Sequence, residues 1–174
     1  MDLQTSLLII APPEVQAFAA PILQRFAPSS CMQGPAHITL FYPFVPLEEV
    51  DQATEILTTV SLQVQPFHLN LNRYGRFDTT HYLAPSDPEP ILELHRLLLS
   101  AFPEYLPYEG QHGPELVPHL TLTQLDSKAE ADQISLPPVP SFSFTVNQLH
   151  LYIGFEEGNI PWIPHSIIPL AKEA

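Results

Sequence analysis

The sequence predicts an α+β fold, on three observations. Short apolar runs of strand length alternate with longer segments of helical periodicity along the whole chain. The alternation lacks the regular strand–helix–strand repeat of a parallel sheet. Two strands, one in each half of the chain, also open with the same pattern of His, apolar, Thr, apolar, a faint two-fold repetition.

The elements follow in order. Residues 6–11, SLLIIA, read as a buried strand stopped by Pro12 and Pro13. Val15, Phe18, Ala19, Ile22 and Phe26 recur at helical spacing over 13–27. AHITLFYPF makes a strand at 36–44, in which Tyr42 falls on the face opposite His37 and belongs to the core. A helix over 47–62 carries Val50, Ala53, Leu57 and Val60 inward and Glu48, Glu49 and Asp51 in its first turn. FHLNLN at 67–72 alternates as a half-buried strand, RYGRFDTT reads as a turn, and HYLAPS at 81–86 returns. Asp87 caps a third helix with Pro88 at its first position, and His95 on it is expected to be partly exposed. A loop at 103–117 precedes a strand, PHLTLTQL, at 118–125, and a polar helix follows at 127–135. FSFTVNQLHLYIGF at 142–155 is strand-like, and its change of apolar phase near Asn147 predicts a bulge. IPWIPHSIIPL, with its prolines, suits an edge strand.

Composition narrows the function. The 174 residues hold 6 Lys and Arg against 19 Asp and Glu, a net charge of −13. Such a chain lacks the basic surface that neutralises many phosphates, so it is a poor candidate for gripping long nucleic acid, while a single phosphate in a local pocket is not excluded. Cys31 stands alone, with no thiol partner for a disulfide or a cysteine-based metal site. No stretch approaches the ~20 apolar residues of a membrane span, and the N-terminal run is short for a secretory signal. A cytoplasmic monomer without membrane contact is expected.

The chemistry lies in the repeated motif. Only two of the 8 histidines have Thr two residues later, in His37-Ile38-Thr39-Leu40 and His119-Leu120-Thr121-Leu122. In a strand, each His shares a face with its Thr while the intervening apolar residues point into the core. Chance supplies roughly a tenth of one such match once the apolar positions are required. Two imidazoles with pKa near ~6.5 serve as general base and general acid around neutrality. Two hydroxyls donate to phosphoryl oxygens without adding charge.

AHITLFYPF and PHLTLTQL resemble the two signature strands of the two-histidine phosphoesterases, the superfamily of the 2'-5' RNA ligase-like proteins and the cyclic nucleotide phosphodiesterases. FHLNLNRYGRFDTTHYLAPS is similar to that family's strand, glycine turn, phenylalanine and returning strand. The resemblance covers essentially the whole chain. It implies one bilobal domain over 1–174, built of two pseudo-symmetric antiparallel-sheet lobes with helices outside and a central cleft. It implies that His37, Thr39, His119 and Thr121 form a metal-independent, cofactor-free site for 2',3'-cyclic or related small nucleotide phosphodiesters. The scarcity of basic residues departs from the family's RNA-acting members. Ligation of tRNA-like RNA through 2'-5' bonds, and a nucleotide-binding module without turnover, are the alternatives.

Three further residues are candidates for holding substrate. Arg73 and Arg76 flank Gly75 and are two of four arginines, each able to reach a phosphate or to remain a solvated turn. Phe77 resembles the family's cleft phenylalanine, suited to stack on a base or ribose. The other histidines show no metal-ligand spacing, and no glycine-rich phosphate loop occurs among the 6 glycines.

Overall fold

The computed structural model describes residues 3–29, 34–106, 110, 115–155 and 160–172; Cys31 and His112 lie outside them. Its strands are β1 (Leu3–Ile10), β2 (His37–Phe41), β3 (Phe67–Arg76), β4 (His81–Pro85), β5 (Leu120–Thr121), β6 (Phe142–Val146), β7 (Gln148–Phe155) and β8 (Ile163–Pro169). Its helices are α1 (Pro13–Phe26), α2 (Val50–Ser61), α3 (Glu89–Ala101) and α4 (Lys128–Asp132). The strands form a curled sheet in the order β6-β3-β4-β5-β2-β1-β7-β8, with every ladder antiparallel.

Two four-stranded lobes meet in this sheet, β6-β3-β4-β5 and β2-β1-β7-β8, joined where Ile38 of β2 pairs with Leu120 of β5. The two His-x-Thr strands are therefore the central pair, and a local two-fold axis passes between Ile38 and Leu120. Alternation sends Ile38, Leu40, Leu120 and Leu122 to one face, where they are buried with Val15 and Ala19 of α1, Leu57 of α2 and Ile91 and Leu98 of α3. One such leucine cut to alanine typically costs about 2–5 kcal/mol. The helices cover this face of the sheet and leave the other to the cleft.

Local chemistry explains the helix boundaries. Pro13 starts α1, where its missing N–H is not needed. Asp87 Oδ1 accepts from the Glu89 N–H at the start of α3. Ser127 Oγ accepts from the Glu130 N–H while the Glu130 carboxylate accepts from the Asp126 N–H, a reciprocal cap for the short α4. The residues ahead of α2 wind more tightly, as a 3-10 turn over Leu47–Glu49.

Five expectations are corrected. Strand β3 runs on through Arg76, so Arg73-Tyr74-Gly75-Arg76 is ladder and the turn begins at Phe77. Strand β5 is only two residues long, because the Leu122 and Thr123 N–H groups both turn to the His81 carbonyl and Gln124 turns to Phe26. The phase change at Asn147 is a crossing between lobes and not a bulge: β6 pairs with β3, and β7 pairs with β1. Tyr42 is not in the main core. The β1–β2 register slips between Leu7 and Leu8, so Phe41 takes the core side and Tyr42 packs with Leu8, Tyr152 and Trp162 on the other face. His95 is buried at 2% exposure, stacked on Phe41 with ring centroids 4.9 Å apart.

Candidate active site

The ladder registers place the site residues without ambiguity. Ile38 opposite Leu120 puts His37 beside Thr121 and Thr39 beside His119 on the open face of the sheet. The two histidines are then diagonal neighbours, a relation that sets residues about 7–8 Å apart across a ladder. All four side chains are half-buried, and they alternate with the buried Ile38, Leu40, Leu120 and Leu122.

Each imidazole is oriented by its own backbone. His37 Nδ1 lies 2.7 Å from the Pro35 carbonyl oxygen, and His119 Nδ1 lies 2.7 Å from that of Val117. A carbonyl only accepts, so Nδ1 carries the hydrogen in both rings and each Nε2 is left for a ligand. Burial pushes both pKa values below the ordinary imidazole value, against the carbonyl bonds, which raise them. The nearby His119 lowers His37 further. Among the described residues neither Thr39 nor Thr121 spends its hydroxyl on an internal hydrogen bond.

The flanks of the site differ. On the β4 side, Tyr82 pairs with Thr121, and its ring lies against His119, 5.3 Å between centroids, and against Phe77, 4.7 Å. Phe77 meets His119 edge to face at 5.0 Å and is 40% exposed, so it offers an open aromatic surface. Gly75 makes this possible: a Cβ there would fall 2.2 Å from Tyr82 Cε2. On the β1 side, Trp162 covers Gly154 in the same way, and Leu8, Tyr152 and Trp162 are buried together. Tyr82 was not singled out from the sequence; the outward phase of HYLAP, with His81 and Leu83 inward, is the signal that marks it.

The two arginines part company. Arg73 pairs with Ala84, which lies beside His119, so it stands on the open face, with Nε donating to the Pro85 carbonyl at 3.1 Å. Arg76 pairs with His81 on the opposite face and is not brought to the site. It is held by Asp132 at 2.7 Å and by the carbonyls of Asp78 and Lys128. Behind β5, His81 Nδ1 and Thr123 Oγ1 bond at 2.8 Å and tie its end to β4. Among the described residues no group of three or more His, Cys, Asp or Glu is placed to hold a metal ion, and no helix is long and apolar enough to cross a membrane.

A curled antiparallel sheet with paired His-x-Thr strands at its centre defines a class, and the comparisons agree with it. Residues 11–154 match the model of the 2'-5' RNA ligase superfamily, and the chain belongs to that family of two-histidine phosphoesterases. A Bacillus cytotoxicus protein named "putative phosphoesterase" is 29% identical over 162 residues, covering 91% of each chain. One of the same name from Geobacillus kaustophilus is 28% identical, covering 88% of this chain and 89% of its own. Among solved structures, Escherichia coli LigT complexed with 3'-AMP superposes with a TM-score of 0.71 at 19% identity, over 99% of this chain and 100% of LigT. A Thermus thermophilus protein superposes with a TM-score of 0.67 at 20% identity, over the whole of both chains. LigT has also been crystallised with phosphate, ATP and NADP+.

Proposed function

We propose that the chain is a metal-independent phosphoesterase that opens 2',3'-cyclic or related small nucleotide phosphodiesters by two-histidine acid–base catalysis. The observation that carries this reading is the matched pair of imidazoles, each held through Nδ1 by the carbonyl two residues before it, with both Nε2 atoms left for one ligand.

One histidine, neutral, takes a proton from water as the water oxygen bonds to phosphorus. The other, protonated, gives its Nε2 proton to the ribose oxygen as the bond from phosphorus to that oxygen breaks. Thr39 and Thr121 donate to the non-bridging oxygens, where charge builds in the transition state. The Nδ1–carbonyl bond survives in both protonation states, so neither ring reorients between its two forms. Arg73 lies on the open face two strands from His119, and Phe77 with Tyr82 offers a platform for a base. Arg76, bound to Asp132, has a structural role. With a charge of −13 the ligand carries one or a few phosphates.

The test is a substrate panel of 2',3'-cyclic mononucleotides, ADP-ribose 1'',2''-cyclic phosphate and 2'-5' linked dinucleotides, run with and without chelator. Turnover of a cyclic or linear diester, insensitive to chelator and lost in His37→Ala and His119→Ala, is the expected result. Nucleotide binding without turnover of any member would replace the enzyme by a binding module.

A further inference from the structure

The two-fold axis between β2 and β5 relates not only the histidines but their neighbours two strands away. From His119 the row on the open face runs through Ala84 to Arg73, since Arg73 pairs with Ala84. From His37 the equivalent row runs through Ile10 to Gln148, since Ile10 pairs with His37 and Leu8 with His150. Gln148 is thus the counterpart of Arg73. Beside it on β7, in the row of Thr39, stands His150. The Gln148 Nε2 and the His150 Nε2 lie 3.2 Å apart. Both side chains are half-buried, and Ile167, the next residue in the row of His150, is 60% exposed.

We propose that Gln148 and His150 form a subsite for the second esterified group of the substrate, an uncharged, hydrogen-bonding alcohol such as a second nucleoside. The proposal rests on the phosphodiester reading of the central site and extends it. Strands are about 4.8 Å apart, so two steps set Gln148 about 10 Å from His37, the reach of one nucleoside from its phosphate.

The chemistry of the pair selects a neutral group. An amide N–H that donates to Nε2 requires a lone pair there, which leaves Nδ1 as a ring N–H donor. Burial also lowers the His150 pKa, which favours the same neutral ring. Two neutral donors between the half-buried Ile10 and the exposed Ile167 suit the edge of a base or a sugar hydroxyl against an apolar margin. A second phosphate finds its cation at Arg73, on the other flank. The asymmetry of the two counterparts would thereby orient a diester in an otherwise two-fold cleft.

The experiment compares a dinucleoside monophosphate with a 2',3'-cyclic mononucleotide, in the wild type, His150→Ala, Gln148→Ala and His150→Gln. Each alanine variant should lower kcat/KM on the dinucleoside roughly tenfold, the worth of a neutral hydrogen bond, and leave the cyclic mononucleotide unchanged. His150→Gln, which keeps an N–H donor, should recover part of the loss. Equal loss on both substrates, or no loss on either, overturns the subsite. If the wild type turns over neither substrate, the phosphodiesterase reading fails while equilibrium binding still decides the subsite. A dinucleoside monophosphate that binds roughly tenfold tighter than a nucleoside 3'-monophosphate, with that advantage lost in His150→Ala, upholds it. Equal affinity for the two ligands overturns it.

Discussion

His37 and His119 make the same hydrogen bond from two-fold related positions: each Nδ1 lies 2.7 Å from the carbonyl oxygen two residues upstream. The carbonyl fixes the tautomer and ring direction of a neutral imidazole and keeps its bond when the ring is protonated. Two residues so held are chemically interchangeable, so any difference in their roles must come from the flanks.

The first prediction is the pH dependence. Both pKa values are lowered, by burial first, so the window in which one ring is neutral and the other protonated lies on the acid side of the ordinary imidazole value. The profile of kcat/KM should be bell-shaped with its maximum there, and its limbs belong to the pair. A bound phosphodiester anion favours imidazolium, so the alkaline limb of kcat should lie higher than that of kcat/KM. Steady-state rates across pH 4–9 check both statements; a kcat/KM that climbs steadily to pH 9 contradicts them.

Removal of the acid or the base is the second. His37→Ala and His119→Ala should each lower turnover by roughly 10²–10⁴-fold. The double variant should lose less than the product of the two, because groups that act as a unit are not additive. Thr39→Ala and Thr121→Ala should cost less than either, each removing one neutral hydrogen bond. Single-turnover rates separate these losses from binding.

Arg73 and Arg76 should behave oppositely. Arg73→Ala, on the open face, should raise KM on a phosphodiester by roughly tenfold with little effect on the urea midpoint. Arg76→Ala frees Asp132 and loosens α4, so it should leave KM unchanged and lower stability slightly, since the pair is largely solvated.

Gly75→Ala tests the aromatic platform. The added Cβ would overlap the Tyr82 ring, which is held between Phe77 and His119. The ring must move, so activity should fall while the helix-side core, on the other face, is untouched. A crystal structure of the variant with Tyr82 unmoved and activity intact contradicts this.

His95 should make the fold sensitive to acid. Its burial lowers its pKa in the folded chain, and its Nε2 is buried without a partner among the described residues. The unfolded chain therefore takes up the proton first. This contribution to stability is complete above the unfolded imidazole pKa of about 6.5 and is lost as pH falls toward the lowered folded value. His95→Leu should reduce the difference between urea midpoints at pH 8 and pH 5. An unchanged difference assigns the acid sensitivity to other groups.

How much of this was legible in the sequence follows from the range of each interaction. Period-two alternation in His37–Leu40 and His119–Leu122 is local, so the outward His and Thr and the inward Ile38, Leu40, Leu120 and Leu122 were readable directly. The placement of Tyr42 was not, because the slip between Leu7 and Leu8 belongs to a pairing partner 34 residues away, Phe41 against Leu7. Arg73 and Arg76 looked equivalent around Gly75 because the segment read as a turn; once it is strand, an interval of three residues puts them on opposite faces. The places of Tyr82 and His150 are set in the same non-local way: each depends on a residue in the facing strand, Thr121 for one and Leu8 for the other.

The crossing at Asn147 also sets an order of assembly. The lobe that carries His119 is one continuous stretch, β3 through β6. The lobe that carries His37 is discontinuous, and Leu7 must wait for Leu151 before β1 has partners on both sides. On the ribosome the first lobe can close while the second still exposes the β1 edge, a template for the strand of another copy. A message cut short after β6 should therefore yield aggregates seeded at β1, not a half-active enzyme.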